Sequence, residues 1–173
     1  MKFFSGFSLS GESYLFEEFI EKSELSVCGF SYGAIAALEY TLTSLNESRR
    51  VDRLQLFSPA FFQTKEHKFK RVQLMSYKKS KLLYLKSFLK SCFAPYEMKI
   101  VEQNEGTYSE LEELLHYEWP EDKLRFLLKE GVRIEVYLGG ADQIIDVSAA
   151  YDFFKEFATV TYIKDANHFL QLQ

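Results

Sequence analysis

Cysteine is scarce. Only Cys28 and Cys92 occur in 173 residues, far apart, which excludes a disulfide framework and the paired spacing of a zinc site and suits a reducing cytoplasm. A basic excess is missing too: 21 Lys and Arg against 25 Asp and Glu leave a net charge of -4, so nothing global calls for nucleic acid. No run of about eighteen apolar residues occurs, which argues against a spanning helix. The apolar start, Met1 to Phe7, is short for a secretory leader. The expectation is a soluble cytoplasmic protein with no membrane contact. Internal repeats and low-complexity segments are also lacking. What remains is one domain's length of chain, 47% hydrophobic and 17% aromatic, enough to bury an ordered core.

The stretch that organises the chain is Leu-Ser-Val-Cys-Gly-Phe-Ser-Tyr-Gly, residues 25 to 33, followed by Ala-Ile-Ala-Ala-Leu. An apolar run rich in strand formers precedes Gly-x-Ser-x-Gly and a helix-forming run follows it, the context of a nucleophile elbow. A serine on so sharp a turn has a strained backbone, and small residues two before and two after it let strand and helix approach closely. Gly29 and Gly33 meet that need, and Ser31 is the candidate nucleophile. The helix start also aims unpaired N–H groups at the turn, where Tyr32 N–H can hold an oxyanion. The plainer alternative is a Gly-rich turn in which Ser31 caps the helix.

Around this stretch the pattern predicts a strand over 2–7 that breaks at Ser5-Gly6, a small-residue loop over 8–11, and an amphipathic helix over 12–22 from the spacing of Leu15, Phe16, Phe19 and Ile20. A strand over 25–29, a helix to about Leu45 and a strand over 51–57 follow. Alternating strands and helices imply parallel pairing. Residues 59–119 show no clear strand and read as a helical lid inserted between the two parts of the core, 1–58 and 120–173. Its first half is basic, with Lys65, Lys68, Lys70, Arg71, Lys78, Lys79, Lys81, Lys86 and Lys90; acids replace them from Glu102 to Asp122. The core resumes with a helix over 120–128, a strand over 132–138, a helix carrying Val147, Tyr151, Phe154 and Phe157, and a strand over 159–163. The fold class is therefore α/β, a mainly parallel sheet of about five or six strands with the lid over its carboxyl ends, where ligands bind in open sheets.

A serine needs a base to take its proton, and a histidine base needs a carboxylate to hold its tautomer. His67 lies among lysines and His116 within the insertion, whereas His168 alone follows a strand of the sheet. Asp142 sits in the loop directly after the strand over 132–138; Asp146 precedes a helix and reads as its N-cap. Ser31, Asp142 and His168 then occur in the chain order of an α/β-hydrolase triad.

Gly-Phe-Ser-Tyr-Gly, Gly-Gly-Ala-Asp-Gln-Ile-Ile at 139–145 and Asn-His-Phe at 167–169 resemble the three catalytic segments of the α/β-hydrolase superfamily, across nearly the whole chain. The resemblance implies an acyl-transfer hydrolase with Ser31 as nucleophile, His168 as base and Asp142 as acid. The first strand ends Phe-Ser-Gly-Phe-Ser where relatives often carry His-Gly, and by position Phe7 N–H becomes the second oxyanion donor. Length, the Phe-Ser-Gly-Phe start and the basic insertion are further similar to the BioV and BioG type of pimeloyl-acyl-carrier-protein methyl ester esterase. That similarity implies hydrolysis of the distal methyl ester in biotin precursor synthesis and an acyl carrier protein as partner. Such carriers are acidic, so Lys65, Lys68, Lys70, Arg71, Lys78, Lys79 and Lys81 offer a complementary surface; a solvated helix face accounts for them equally. Phe61, Phe62, Leu82, Leu85 and Phe88 are candidates for an acyl channel or for plain core packing. No residues ask for a metal or organic cofactor, and a monomer is expected. The elbow does not separate an ester from a thioester substrate or from a general carboxylesterase, and a binding module using the basic helices is the rival reading of another class.

Overall fold

The computed structural model describes residues 1–173. Five strands, β1 (Lys2–Phe4), β3 (Ser26–Phe30), β4 (Arg53–Phe57), β6 (Arg133–Gly139) and β7 (Thr159–Ile163), form one all-parallel sheet in that order. Two short strands, β2 (Leu9–Ser10) and β5 (Glu102–Gln103), pair antiparallel beside it. Helix α1 (Gly33–Asn46) follows β3, α2 (His67–Lys79), α3 (Lys81–Phe93) and α4 (Tyr108–His116) lie between β4 and β6, and α5 (Glu121–Lys129) and α6 (Val147–Phe154) flank β6. No helix is long and apolar enough to cross a membrane.

The strand order never reverses after β3, so α1, α5 and α6 step across the sheet in one direction and fall on one face. There Val27, Leu54, Leu56, Ile134, Val136 and Leu138 pack against Ala34, Leu38, Leu124, Leu127 and Phe154. The alternate strand positions Cys28, Phe30 and Phe57 face the other way. They are covered by Leu15 and Phe16, by Leu89, Cys92 and Phe93 from the end of α3, and by Phe169. Phe16 stacks on Phe57 at 4.9 Å between ring centroids, and Phe93 on Phe169 at 4.3 Å.

The amphipathic helix expected over 12–22 is not formed. A 3-10 turn spans Glu12–Phe16 and no α-helix follows it. The reason lies in β4: Gln55, buried in the sheet, donates to Phe19 O and accepts from Glu21 N–H, both at 2.9 Å. A side chain from the sheet thus satisfies backbone groups that a helix would otherwise pair internally. Strand β1 stops at Phe4, and Leu9–Ser10, read as loop, pairs with Glu102–Gln103 inside a stretch expected to hold no strand. Helix α6 stops at Phe154, short of Phe157, and Asp146 caps it by accepting from Ala149 N–H at 3.1 Å.

Burial pushes the Cys28 thiol up to about 12. Burial raises Cys92 well above its usual range too, with the Asp142 charge adding to it. Both thiols therefore stay protonated and shielded, and only a thiolate reacts rapidly. Native protein at about pH 8 should give no thiol with Ellman's reagent and both after denaturation in guanidinium. Fast reaction of either in the native state would show that its covering layer opens.

Candidate active site

Ser31 sits between β3 and α1 with φ at 51°, in the left-handed region that a serine rarely adopts. The strain is held by close approach on both sides. A Cβ on Gly29 would lie 2.7 Å from Ala34 Cα, and one on Gly33 would fall on the carbonyl oxygens of Phe4 and Ser5. Ser31 N–H donates to Phe57 O at 2.9 Å, and Ser31 O accepts from Ala60 N–H at 3.1 Å. With its backbone occupied, the residue has only its hydroxyl to offer. That hydroxyl does not cap α1, which begins with no side-chain cap.

The hydroxyl instead meets His168: Ser31 Oγ lies 3.0 Å from Nε2. On the other ring nitrogen, Nδ1–H donates to Asp142 Oδ2 at 2.6 Å, and both side chains are fully buried. That bond leaves the Nε2 lone pair facing the serine. Asp142 is itself oriented, since its Oδ1 accepts from Ile144 N–H at 2.7 Å. The three side chains come from loops after β3, β6 and β7, at the carboxyl end of the sheet.

The histidine loop rests on the insertion. Asn167 is fully buried; its Nδ2 donates to Phe93 O at 2.8 Å and its Oδ1 accepts from Phe169 N–H and Gln171 N–H, each at 3.0 Å. Tyr96 OH donates to Asp165 O at 2.6 Å. The sequence places Asn167 in the Asn-His-Phe segment without assigning it a role, although an amide directly before His168 is the kind of residue that can bond its own loop.

Neither Phe7 N–H nor Tyr32 N–H is hydrogen-bonded within the chain, and Tyr32 stands at the N-terminus of α1. The loop carrying Phe7 is clamped by the insertion: Ser8 Oγ donates to Asn104 O at 2.7 Å and Asn104 N–H donates to Ser8 O at 3.1 Å, while within the insertion Tyr77 OH of α2 donates to Gly106 O at 2.6 Å. Tyr32 OH donates to Glu113 Oε2 of α4 at 2.5 Å. Burial, and next this bond to Glu113, hold the phenol above its usual range, so it remains a donor.

A cavity of about 550 Å³ lies between α2, α3, α4 and the turn after Asp142, lined by Phe62, Phe69, Tyr84, Phe88, Leu111, Leu115 and Ile144, with Gln73, Ser76, Lys79 and Gln143 as polar groups. Of the acyl-channel candidates, Phe62 and Phe88 line it. Leu82 does not: at 77% exposure it faces solvent, on the side of α3 opposite to Tyr84, which packs against Tyr77. Phe61 does not either, since it is buried against Phe153 and Phe154. Leu85 borders a separate narrow crevice with Phe7 and Phe88. No residue of the basic run, Lys65, Lys68, Lys70, Arg71, Lys78, Lys79 or Lys81, forms an ion pair within the chain. Lys65 and Lys78 lie over the rings of Phe69 and Tyr108, at 5.7 and 4.4 Å. No group of three or more His, Cys, Asp or Glu that could hold a metal is present.

No protein-family model matches the chain, and no curated protein matches it. Solved structures do. An esterase from Exiguobacterium antarcticum superposes with a TM-score of 0.60 at 18% identity, over 82% of this chain and 58% of that one, so the chain spans little more than half of that esterase's length. BioG from Haemophilus influenzae gives 0.55 at 9% identity, over 96% of this chain and 87% of its own. Est816, an N-acyl homoserine lactone degrading enzyme, gives 0.64 at 12% identity, over 98% and 86%. Together with the parallel sheet and the serine turn after β3, these likenesses establish that the chain has the α/β-hydrolase fold.

Proposed function

We propose that the chain is a serine carboxylesterase that hydrolyses the methyl ester of pimeloyl carried on an acyl carrier protein. One observation carries the catalytic part: the buried hydrogen-bond chain from Ser31 through His168 to Asp142, beside two backbone N–H groups with no partner in the protein. In this reading Ser31 Oγ attacks the ester carbonyl as its proton passes to His168 Nε2, and Asp142 stabilises the imidazolium. Phe7 N–H and Tyr32 N–H hold the tetrahedral oxyanion. Collapse returns the proton to the departing methanol and leaves an acyl-enzyme, which water, deprotonated by the same histidine, then cleaves.

The substrate rests on other support. The chain resembles BioV and BioG esterases in its start and its basic insertion, and BioG is similar in fold over almost its whole length. Helices α2 and α3 carry Lys68, Lys70, Arg71, Lys78, Lys79, Lys81, Lys86 and Lys90 and no acid, in a chain whose net charge is -4. A basic face unpaired within its own chain complements an acidic carrier and raises its association rate. The cavity beneath the same helices, apolar with polar groups among its lining, suits a medium-length acyl chain.

A fluorophosphonate should label wild type and not Ser31→Ala, and Ser31→Ala and His168→Ala should each lose on the order of 10⁴-fold in ester hydrolysis while keeping a wild-type melting profile. Near wild-type turnover in either variant removes that residue from the mechanism. Wild type should prefer carrier-linked pimeloyl methyl ester to p-nitrophenyl esters; preference for thioesters or short free esters would keep the chemistry and discard the substrate. Reversing Lys68, Arg71 and Lys86 to Glu should lower kcat/KM for the carrier-linked ester about tenfold or more and that for a small soluble ester less than about twofold. Equal losses on both would end the docking assignment.

A further inference from the structure

One carboxyl group in the core takes no part in the triad. Glu12 is fully buried, a costly position for a carboxyl group with few partners. Its one partner is the loop that carries Phe7: Oε1 accepts from Gly6 N–H at 2.7 Å, and Oε2 has no hydrogen-bond partner. Gly11, with φ at 71°, turns the chain so that residue 12 faces back toward residue 6. Gly6 is itself confined, because a Cβ there would stand 2.8 Å from the Phe30 ring.

The peptide joining Gly6 to Phe7 is planar and trans, so its C=O and its N–H point in opposite directions. Leu9 N–H donates to that C=O at 3.1 Å. Glu12 holds the N–H on one side of Gly6 and Leu9 holds the C=O on the other, and the free Phe7 N–H is aimed by both. We infer that Glu12 is a positioning residue for the oxyanion loop, fixing Gly6 so that Phe7 N–H stays where the oxyanion forms; the inference rests on the serine-hydrolase reading above. Glu12 acts through Gly6 and touches no substrate.

The test compares Glu12→Ala, Glu12→Asp and Glu12→Gln with wild type on a p-nitrophenyl ester, with melting curves to confirm folding. Glutamine keeps an acceptor oxygen at the same reach, whereas aspartate is one methylene short. Expected for Ala and Asp is a fall in kcat of roughly ten- to a hundredfold with KM within about twofold, since the lost interaction is made only in the transition state. Gln should restore most of the rate. Amide NMR gives a readout independent of turnover: Gly6 N–H should be protected from exchange in wild type and Gln and unprotected in Ala and Asp, with the Phe7 amide resonance displaced in the latter two. Unchanged kcat in a folded Ala or Asp variant overturns the inference, as does a Gln variant no better than Ala. If Ala fails to fold, Asp against Gln decides. If wild type cleaves no ester and takes no fluorophosphonate label, the hydrolase reading is what fails, and an unprotected Gly6 amide in wild type would separately refute the Glu12 contact.

Discussion

The site depends on one steric constraint, the approach of the first turn of α1 to the ends of β1 and β3 with no room for a further carbon at residues 29 and 33. Backbone packed against backbone holds Ser31 in a left-handed conformation, hands its N–H to Phe57, and leaves Tyr32 N–H without a partner in the chain at the helix start. A second contact of the same kind holds His168. A Cβ on Gly139 would fall on the carbonyl oxygens of Ala166 and Asn167, so the end of β6 lies directly under the histidine loop. Ser31 and His168 are thus set against each other by glycines, and their 3.0 Å separation follows from main-chain packing. Strain of this sort persists only where its surroundings over-determine it.

The parts of this arrangement that were legible in the sequence are those encoded locally. Gly29, Ser31 and Gly33 sit within five residues; Asp142 follows an apolar run that reads as a buried strand, and His168 follows Thr-Val-Thr-Tyr-Ile, a run of strand formers that the structure places at the sheet edge. The parts that were not legible depend on partners far away in the chain. Leu15, Phe16, Phe19 and Ile20 carry a helical spacing, but Gln55, 36 residues beyond Phe19, takes over the backbone there. The β2–β5 ribbon is two residues long and joins Ser10 to a residue 92 positions later, too short and too distant for any periodicity to reveal. Glu12 looks like an ordinary surface residue until the fold buries it, and nothing in Asn-His-Phe shows that Asn167 is buried as well. Leu82 looks like core and is not, because a broad apolar stripe on α3 does not say which part of it is covered.

The two faces of the sheet are built differently, and this governs where the protein is economical. One face carries a conventional helical layer. The other has no α-helix of its own along its length: a 3-10 turn, the end of α3 and the final residues cover Cys28, Phe30 and Phe57, mostly with aromatic rings. Large flat side chains bury much area per residue. They let a short chain close a face that would otherwise call for further helices.

That economy bears on the independence of the insertion. Phe93 stacks on Phe169 and receives the amide of Asn167, Tyr96 holds Asp165, and Asn104 holds the loop beside Phe7. Residues 93 to 106 are therefore structural members of the half that carries Ser31 and His168, although by position they lie in the stretch between β4 and β6. Before that segment the end of α3 already joins the core through Leu89 and Cys92, and α2 and α3 reach Phe7 through Tyr77 and Phe88. The outer, basic sides of α2 and α3 are the part free to vary as a recognition surface, while their inner sides and residues 93 to 106 close the sheet beneath Ser31 and His168 and would have to be kept with them.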